Sequence, residues 1–291
     1  FSNIACCSLL YNKNYLSKVE KYLNWYINHL NFTDTYGAHG TIYDYFLKTN
    51  GSLVSTFDYD SYDSYPATFL SLLKDYYTVS KNTSFFISNS DYIHAITASM
   101  LNSADADGLT WAKPNYKVKY LMDNCEVYKG ITDAIFIYKE IFKNSHYLNM
   151  LKIAKNKIYG SIEANMWNDR DNFYYYQIDA NNNKGTPHFT HWYPDATSQL
   201  FPILSGLIDP TSKRALYIYD RFNKAFPEWN VSKPNGSFPD VYIGYVGLLM
   251  KDYYKVHVFL DFCRKSYIDK GNIWPWYSVE SAYYIKILQK I

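Results

Sequence analysis

Two kinds of apolar pattern alternate along the chain. Segments near residues 2–11, 67–79, 124–142, 196–207, 241–253 and 279–288 are apolar almost all round. Between them, near 14–30, 91–102, 147–166, 211–226 and 256–267, the pattern is amphipathic. In the 14–30 stretch Leu16, Val19, Tyr22, Leu23, Tyr26, Ile27 and Leu30 recur at helical spacing, with Lys18, Glu20, Lys21 and Asn24 opposite. The uniformly apolar segments predict helices buried between layers. The amphipathic ones predict outer helices with one wet face.

Links from an inner helix to the next outer one are short, and those leading into inner helices are long. All long loops are therefore expected on one face, and such loops usually carry function. Within them, residues 42–48 and 53–58 flank Asn50-Gly51, a hairpin signal. Residues 173–178 read as strand, followed by a turn at 181–185. Six inner and five outer helices predict an all-α toroid of helical hairpins, with the whole chain, 1–291, as one domain. The count leaves one inner helix without an outer partner. The chain begins with Phe1 rather than Met, so an upstream segment or a partner is expected to cover that helix.

Helix-start chemistry sharpens the boundaries. Asp123 followed by Glu126 reads as a capping box, which starts a helix at Asn124. Asp63 and Pro66 fit a start near 64. Asp195, Asp240 and Glu280 stand at the mouths of later inner helices, and Asp60 lies just before Asp63.

Composition changes the picture in one respect. The chain has 48% apolar residues, ample for a core, and carries 33 Tyr, 17 Phe and 7 Trp. Tyrosine pairs an apolar ring with a wet tip and suits clefts. A net charge of +2 does not suggest a nucleic-acid partner. The arginines are only Arg170, Arg214, Arg221 and Arg264, which argues against a strongly anionic substrate. No apolar run is long enough for a membrane span. Cys6, Cys7, Cys125 and Cys263 lack metal-site spacing and read as small buried residues. His188 and His191 have metal-like spacing but no third ligand near them, so neither metal nor cofactor is expected. Sequons at Asn31, Asn50, Asn82, Asn230 and Asn235 fit an extracellular or cell-surface protein.

Four segments carry a resemblance: DSYPATFLSLL (63–73), DGLTWAKPNY with YLMDNCEVYKGI (107–116 and 120–131), WYPDATSQLFPIL (192–204) and WPWYSVESAYYI (274–285). With the helical rhythm, they make the chain resemble the six-hairpin glycosidases, the (α/α)6-barrel superfamily. The resemblance implies an aromatic cleft on the long-loop face, carboxylates at inner-helix mouths, and commonly inversion at the anomeric carbon. Some relatives are lyases, phosphorylases or epimerases.

Glycoside hydrolysis needs one protonated carboxyl and one ionised carboxylate. A helix N-terminus favours the anion, so a capping Asp suits the base. An aromatic, water-poor setting suits the acid. Asp63 and Asp123 are the expected pair, with Asp195 next. Each could equally be an N-cap. Trp111, Trp192, Tyr193, Trp274 and Trp276 are the expected sugar platforms; Lys113, His188 and His191 could bond hydroxyls, and Tyr65, Glu126 and Glu280 complete the expected substrate contacts. The expected partner is a neutral or weakly charged oligo- or polysaccharide. A carbohydrate-binding toroid without catalysis would use the same aromatics. A terpene-cyclase-like site would instead use Asp58, Asp60 and Asp63 in an apolar cavity, which these polar aromatic loops disfavour.

Overall fold

Twelve α-helices form among the described residues, 1–233 and 237–291 of a computed structural model. In chain order they are α1 (Ser2–Leu9), α2 (Leu16–Asn28), α3 (Ser64–Ser80), α4 (Thr83–Ser88), α5 (Ser90–Asn102), α6 (Leu121–Glu140), α7 (Ser145–Ser161), α8 (Phe201–Leu204), α9 (Lys213–Ala225), α10 (Tyr242–Leu249), α11 (Tyr253–Cys263) and α12 (Ser278–Leu288). The sequon Asn235 lies outside the described residues.

Six helices close into a ring. α1 packs on α3, α3 on α6, α6 on α8, α8 on α10, α10 on α12, and α12 returns to α1. α2, α5, α7 and α11 pack outside α3, α3, α6 and α10 respectively. The alternation of apolar and amphipathic segments thus becomes an inner ring and an outer layer, as expected for the toroid.

The tightest join has a simple cause. A side-chain carbon at Gly130 of α6 would come within 2.6 Å of the Ala67 Cα of α3. Small residues at both positions let two fully internal helices approach closely. Around that crossing Phe69, Leu70, Leu72 and Leu73 of α3 and Val127, Ile131, Ala134 and Ile137 of α6 are buried. Each large side chain so buried contributes about 1.5–3 kcal/mol of transfer free energy.

Long loops gather on the face where inner helices start. The expected hairpin forms as β1 (Tyr45–Leu47) against β2 (Leu53–Ser55), with Gly51 at φ 82 supplying the left-handed turn residue. The strand-like stretch after α7 divides. β4 (Trp167–Asn168) pairs with β5 (Phe173–Tyr174), while β6 (Gln177–Asp179) pairs with both β7 (Lys184–Gly185) and β3 (Val118–Tyr120). Because β3 lies in the loop before α6, this small sheet ties two mouth loops together.

Three boundaries differ from the sequence pattern. α4 forms where a break is expected, capped by Asn82, whose side chain accepts from the Phe85 N–H. The helix expected over 196–207 is regular only in α8; ahead of it residues 192–196 are wound as a π-turn with Tyr193 in extended geometry. α9 starts at Lys213, two residues beyond the expected 211, capped by Ser212, whose hydroxyl accepts from the Ala215 N–H. No described helix is long and apolar enough to cross a membrane.

Candidate active site

α6 begins at Leu121, three residues before the start that a capping box would give. Tyr120 is the N-cap residue and makes no side-chain cap, so Asp123 sits inside the first turn and Glu126 in the next. The loop tie expected of Asp123 is made by its neighbour. Asn124 Oδ1 accepts from the Thr110 N–H at 2.8 Å, and its Nδ2 donates to the Tyr120 carbonyl at 2.8 Å. With Asn124 holding the loop, Asp123 and Glu126 are spared that work.

Asp63 does cap. Its Oδ1 accepts from Ser61 Oγ at 2.7 Å and the Ser64 N–H at 2.8 Å, and its Oδ2 accepts from Thr110 Oγ1 at 2.6 Å. It is completely buried. Asp195 is also buried and receives the backbone N–H groups of His188 and Phe189 at 3.1 and 3.2 Å. Both oxygens of each carboxyl are therefore committed to loops. Asp123 is different: it is half-buried, and the side chain facing it is the Ser64 hydroxyl at the start of α3.

The mouth acids share an electrostatic setting. Burial drives Asp123 well above the usual carboxylate range, and the charges of Asp63, Glu126 and Asp60 reinforce the shift. Burial also raises Glu126 to about 7. Across the ring, Glu280 of α12 is raised to about 7 by burial, although its Oε2 accepts the Val241 N–H at 2.8 Å. Asp240, in the turn before α10, is raised by burial to about 6; the Trp192 indole and Lys233 restrain it. The acids thus arrive from α6 on one side and from α10 and α12 on the other, with α6 opposite α12 in the ring.

Between them stands Tyr193. It is 62% exposed, yet its phenol lies in a concavity crowded enough that burial raises its pKa, followed by the charges of Asp123, Asp240, Asp60 and Glu126. Two further tyrosines line the floor: Tyr242 of α10 and Tyr283 of α12, with ring centroids 6.0 Å apart. Sequence reasoning missed both, because they occupy ordinary positions within apolar helices. The Ser64 hydroxyl lies beside Asp123 and Glu126, and that of Thr197 beside Tyr242.

The other expected contacts divide. Trp274 is 73% exposed, with its edge toward Tyr277. Trp192 faces inward, packs on Phe226 and donates to Asp240 Oδ2 at 2.5 Å, so its indole N–H is engaged by an acid. Trp276 is buried, stacks on Tyr267 and donates to Ser281 Oγ at 2.7 Å. One face of Trp111 carries the Lys119 ammonium, 4.1 Å from the ring centre. Tyr65 donates to Asp44 Oδ1 at 2.8 Å, and Lys113 pairs with Asp58 at 3.4 Å. His191 is exposed, with Nδ1 3.8 Å from Asp195. His188 contributes its backbone N–H to Asp195.

No family model matches the sequence, and no curated protein sequence does. Solved structures do match it in shape. A GH63 mannosylglycerate hydrolase from Thermus thermophilus aligns with a TM-score of 0.65 at 9% identity, over 99% of this chain and 92% of that one. A GH76 alpha-mannanase of Bacteroides thetaiotaomicron aligns with a TM-score of 0.63 at 12% identity, over 99% and 85%. The chain has the six-hairpin glycosidase fold. A GH78 rhamnosidase of Bacillus sp. GL1 aligns with a TM-score of 0.57 at 12% identity over 82% of this chain; the match spans only 27% of that longer enzyme. In the six-hairpin ring of this chain the long loops gather at one end, and the raised acids meet there.

Proposed function

We propose that the protein is a glycoside hydrolase, acting on a neutral or weakly charged oligo- or polysaccharide with inversion. The observation that carries this reading is the placing of acids on the helices either side of α8, which Tyr193 precedes: Asp123 and Glu126 on α6, Asp240 just before α10. The fold of the aligned glycosidases supports it at a coarser level.

Asp123 is the general acid. Its raised pKa favours the protonated form, which can donate to the departing glycosidic oxygen as the bond to the anomeric carbon breaks. Asp240 is the general base. At about 6 it is mostly ionised at neutral pH, and the Trp192 N–H fixes one oxygen. The other oxygen can take a proton from water as that water attacks the anomeric carbon from the opposite face. Tyr193 and Trp274 offer exposed rings to apolar sugar faces.

The test is release of reducing ends from a panel of purified glycans. It compares the wild type with Asp123→Asn and Asp240→Asn and follows the anomer formed by NMR. Release lost in both variants, with the inverted anomer appearing first, is expected. Binding without release by the wild type would instead make the protein a carbohydrate-binding toroid.

A further inference from the structure

The floor of the mouth cleft is not the end of the open space. Below Glu126 and Tyr283 the ring axis continues as a cavity of about 270 Å³ among α1, α3, α6, α8 and α12. On α3 its lining residues are Thr68, Ser71, Asp75 and Thr78, one per turn on a single face. At about 1.5 Å of rise per residue, this stripe runs roughly 15 Å down the ring. At its lower end Tyr11 and Thr78 are exposed, so the cavity meets solvent on the face opposite the mouth loops. Helix lengths account for the space. α8 has 4 residues and α1 has 8, against 17 in α3 and 20 in α6, so the long helices run past the short ones.

The lining suits water. Thr68, Ser71, Thr78 and Ser205 offer hydroxyls. Lys129 and Lys286 are matched by Asp75 and Glu126 in the same wall, so the cavity selects neither sign of ion. Several waters fit at about 30 Å³ each, with hydroxyl and charged groups to bond them. Glu126 stands at the upper end, half-buried, its carboxyl raised to about 7 by burial. The Ser64 hydroxyl, buried in the first turn of α3, lies beside both Glu126 and Asp123. A hydroxyl both accepts and donates, so it can pass a proton between two carboxyls. From the mouth inward the order is Asp123, Ser64, Glu126 and the cavity.

We infer that the cavity, Glu126 and Ser64 form a proton-return path to Asp123 from the face opposite the one where substrate enters. The path rests on the hydrolase reading. In each inverting turnover Asp123 gives its proton to the leaving oxygen, and Asp240 takes one from the attacking water. Asp123 is then ionised and Asp240 protonated, and both must reset before the next turnover. A glycan lying across the mouth shields Asp123 from water on that side. Glu126 donates its proton to Ser64 Oγ as the Ser64 O–H proton passes to the Asp123 carboxylate, and Glu126 takes a replacement from water in the cavity. Asp240 returns its proton to solvent, so no net proton is consumed. Ser64 is a positioning residue that acts through Asp123.

Steady-state kinetics test this with two substrates: the glycan cleaved fastest in the reducing-end panel, and the 2,4-dinitrophenyl glycoside of the same sugar, whose phenolate leaves without a proton. The proteins compared are the wild type, Ser71→Leu, which fills the cavity, and Ser64→Ala, each checked for native helicity by circular dichroism. On the glycan, Ser71→Leu should lower kcat about tenfold and leave kcat/KM unchanged, because only turnovers after the first need the returned proton. Ser64→Ala should lower kcat by a similar factor. Both should show a larger solvent deuterium isotope effect on kcat than the wild type. Ser71→Leu should turn over the dinitrophenyl glycoside at the wild-type rate. If Ser71→Leu does not fold, kcat and its isotope effect in Ser64→Ala decide alone. An unchanged kcat on the glycan in either folded variant, or an equal loss on the dinitrophenyl glycoside, overturns the path and leaves hydrolysis standing. No cleavage of any glycan by the wild type overturns the hydrolase reading and the path with it.

Discussion

The indole of Trp192 donates to Asp240 Oδ2 at 2.5 Å, joining the turn before α8 to the turn before α10. A buried tryptophan thereby offsets part of the rise that burial imposes on an acid at the cleft. Removing the donor disfavours the anion, so Trp192→Phe raises the pKa of Asp240. The acid limb of the pH–activity profile, set by a group at about 6, should move upward in this variant. A limb that stays in place would separate Asp240 from catalysis.

The mouth acids divide by the work their oxygens already do. Asp123→Asn and Asp240→Asn should each lower kcat by about 10²–10⁴ while leaving thermal stability near wild type, as expected for proton-transfer groups. Asp63→Ala should show the reverse pattern. It strands the Ser61 and Thr110 hydroxyls and leaves the first N–H of α3 with Ser61 Oγ alone, and should cost about 1–3 kcal/mol in chemical denaturation.

Glu280 makes stability depend on pH. Its folded pKa, about 7, lies above the ordinary 4.5, so the folded state holds a proton that the unfolded state releases. The contribution is fully present below about 4.5 and is lost as pH rises through about 7. Stability should therefore decline across this window. Glu280→Gln, still able to accept from the Val241 N–H, should flatten the slope and gain on the order of 3 kcal/mol at pH 8. Denaturant midpoints at pH 5 and pH 8 measure both.

At the α3–α6 crossing, Gly130→Ala places a methyl against Ala67, at 2.6 Å from its Cα and 2.8 Å from its carbonyl oxygen. Neither atom can rotate away. The variant should lose about 1–3 kcal/mol despite the better helix propensity of alanine, read as a lowered Tm.

Tyr193→Ala should raise KM and leave kcat largely intact, because its ring offers surface rather than a proton. A loss of about 1 kcal/mol of binding is the expected scale.

Much of this architecture was legible in the sequence. The contrast between uniformly apolar and one-sided helices follows from burial on all sides or on one, and that contrast survives as the inner ring and outer layer. Asn50-Gly51 fixed the hairpin because a left-handed residue is required there. The site was legible in part. Asp63, Asp123 and Asp195 look alike along the chain, each before an apolar helix. What separates them is which oxygens are taken: Ser61 and Thr110 occupy Asp63, two backbone N–H groups occupy Asp195, and Asn124 relieves Asp123. Those partners come from chain segments up to 47 positions away, so no local pattern announces them. The tryptophans divided for the same reason. Trp192, Trp276 and Trp111 have their donors or faces engaged by Asp240, Ser281 and Lys119, while Trp274 stays exposed.

The contact of α1 with α12 closes the ring between helices far apart in the chain. During synthesis α1 emerges well before α12 and must wait for it before its second inner neighbour exists. Until then one flank of α1 is an open apolar seam, and the nascent arc can gain its last interface only after α12 leaves the ribosome. Joining the end of α12 to the start of α1 by a linker long enough to run back along the ring to the mouth face, and opening the chain in a short turn between an inner and an outer helix, would let the two pair early. The order of assembly would change while the finished ring stayed the same.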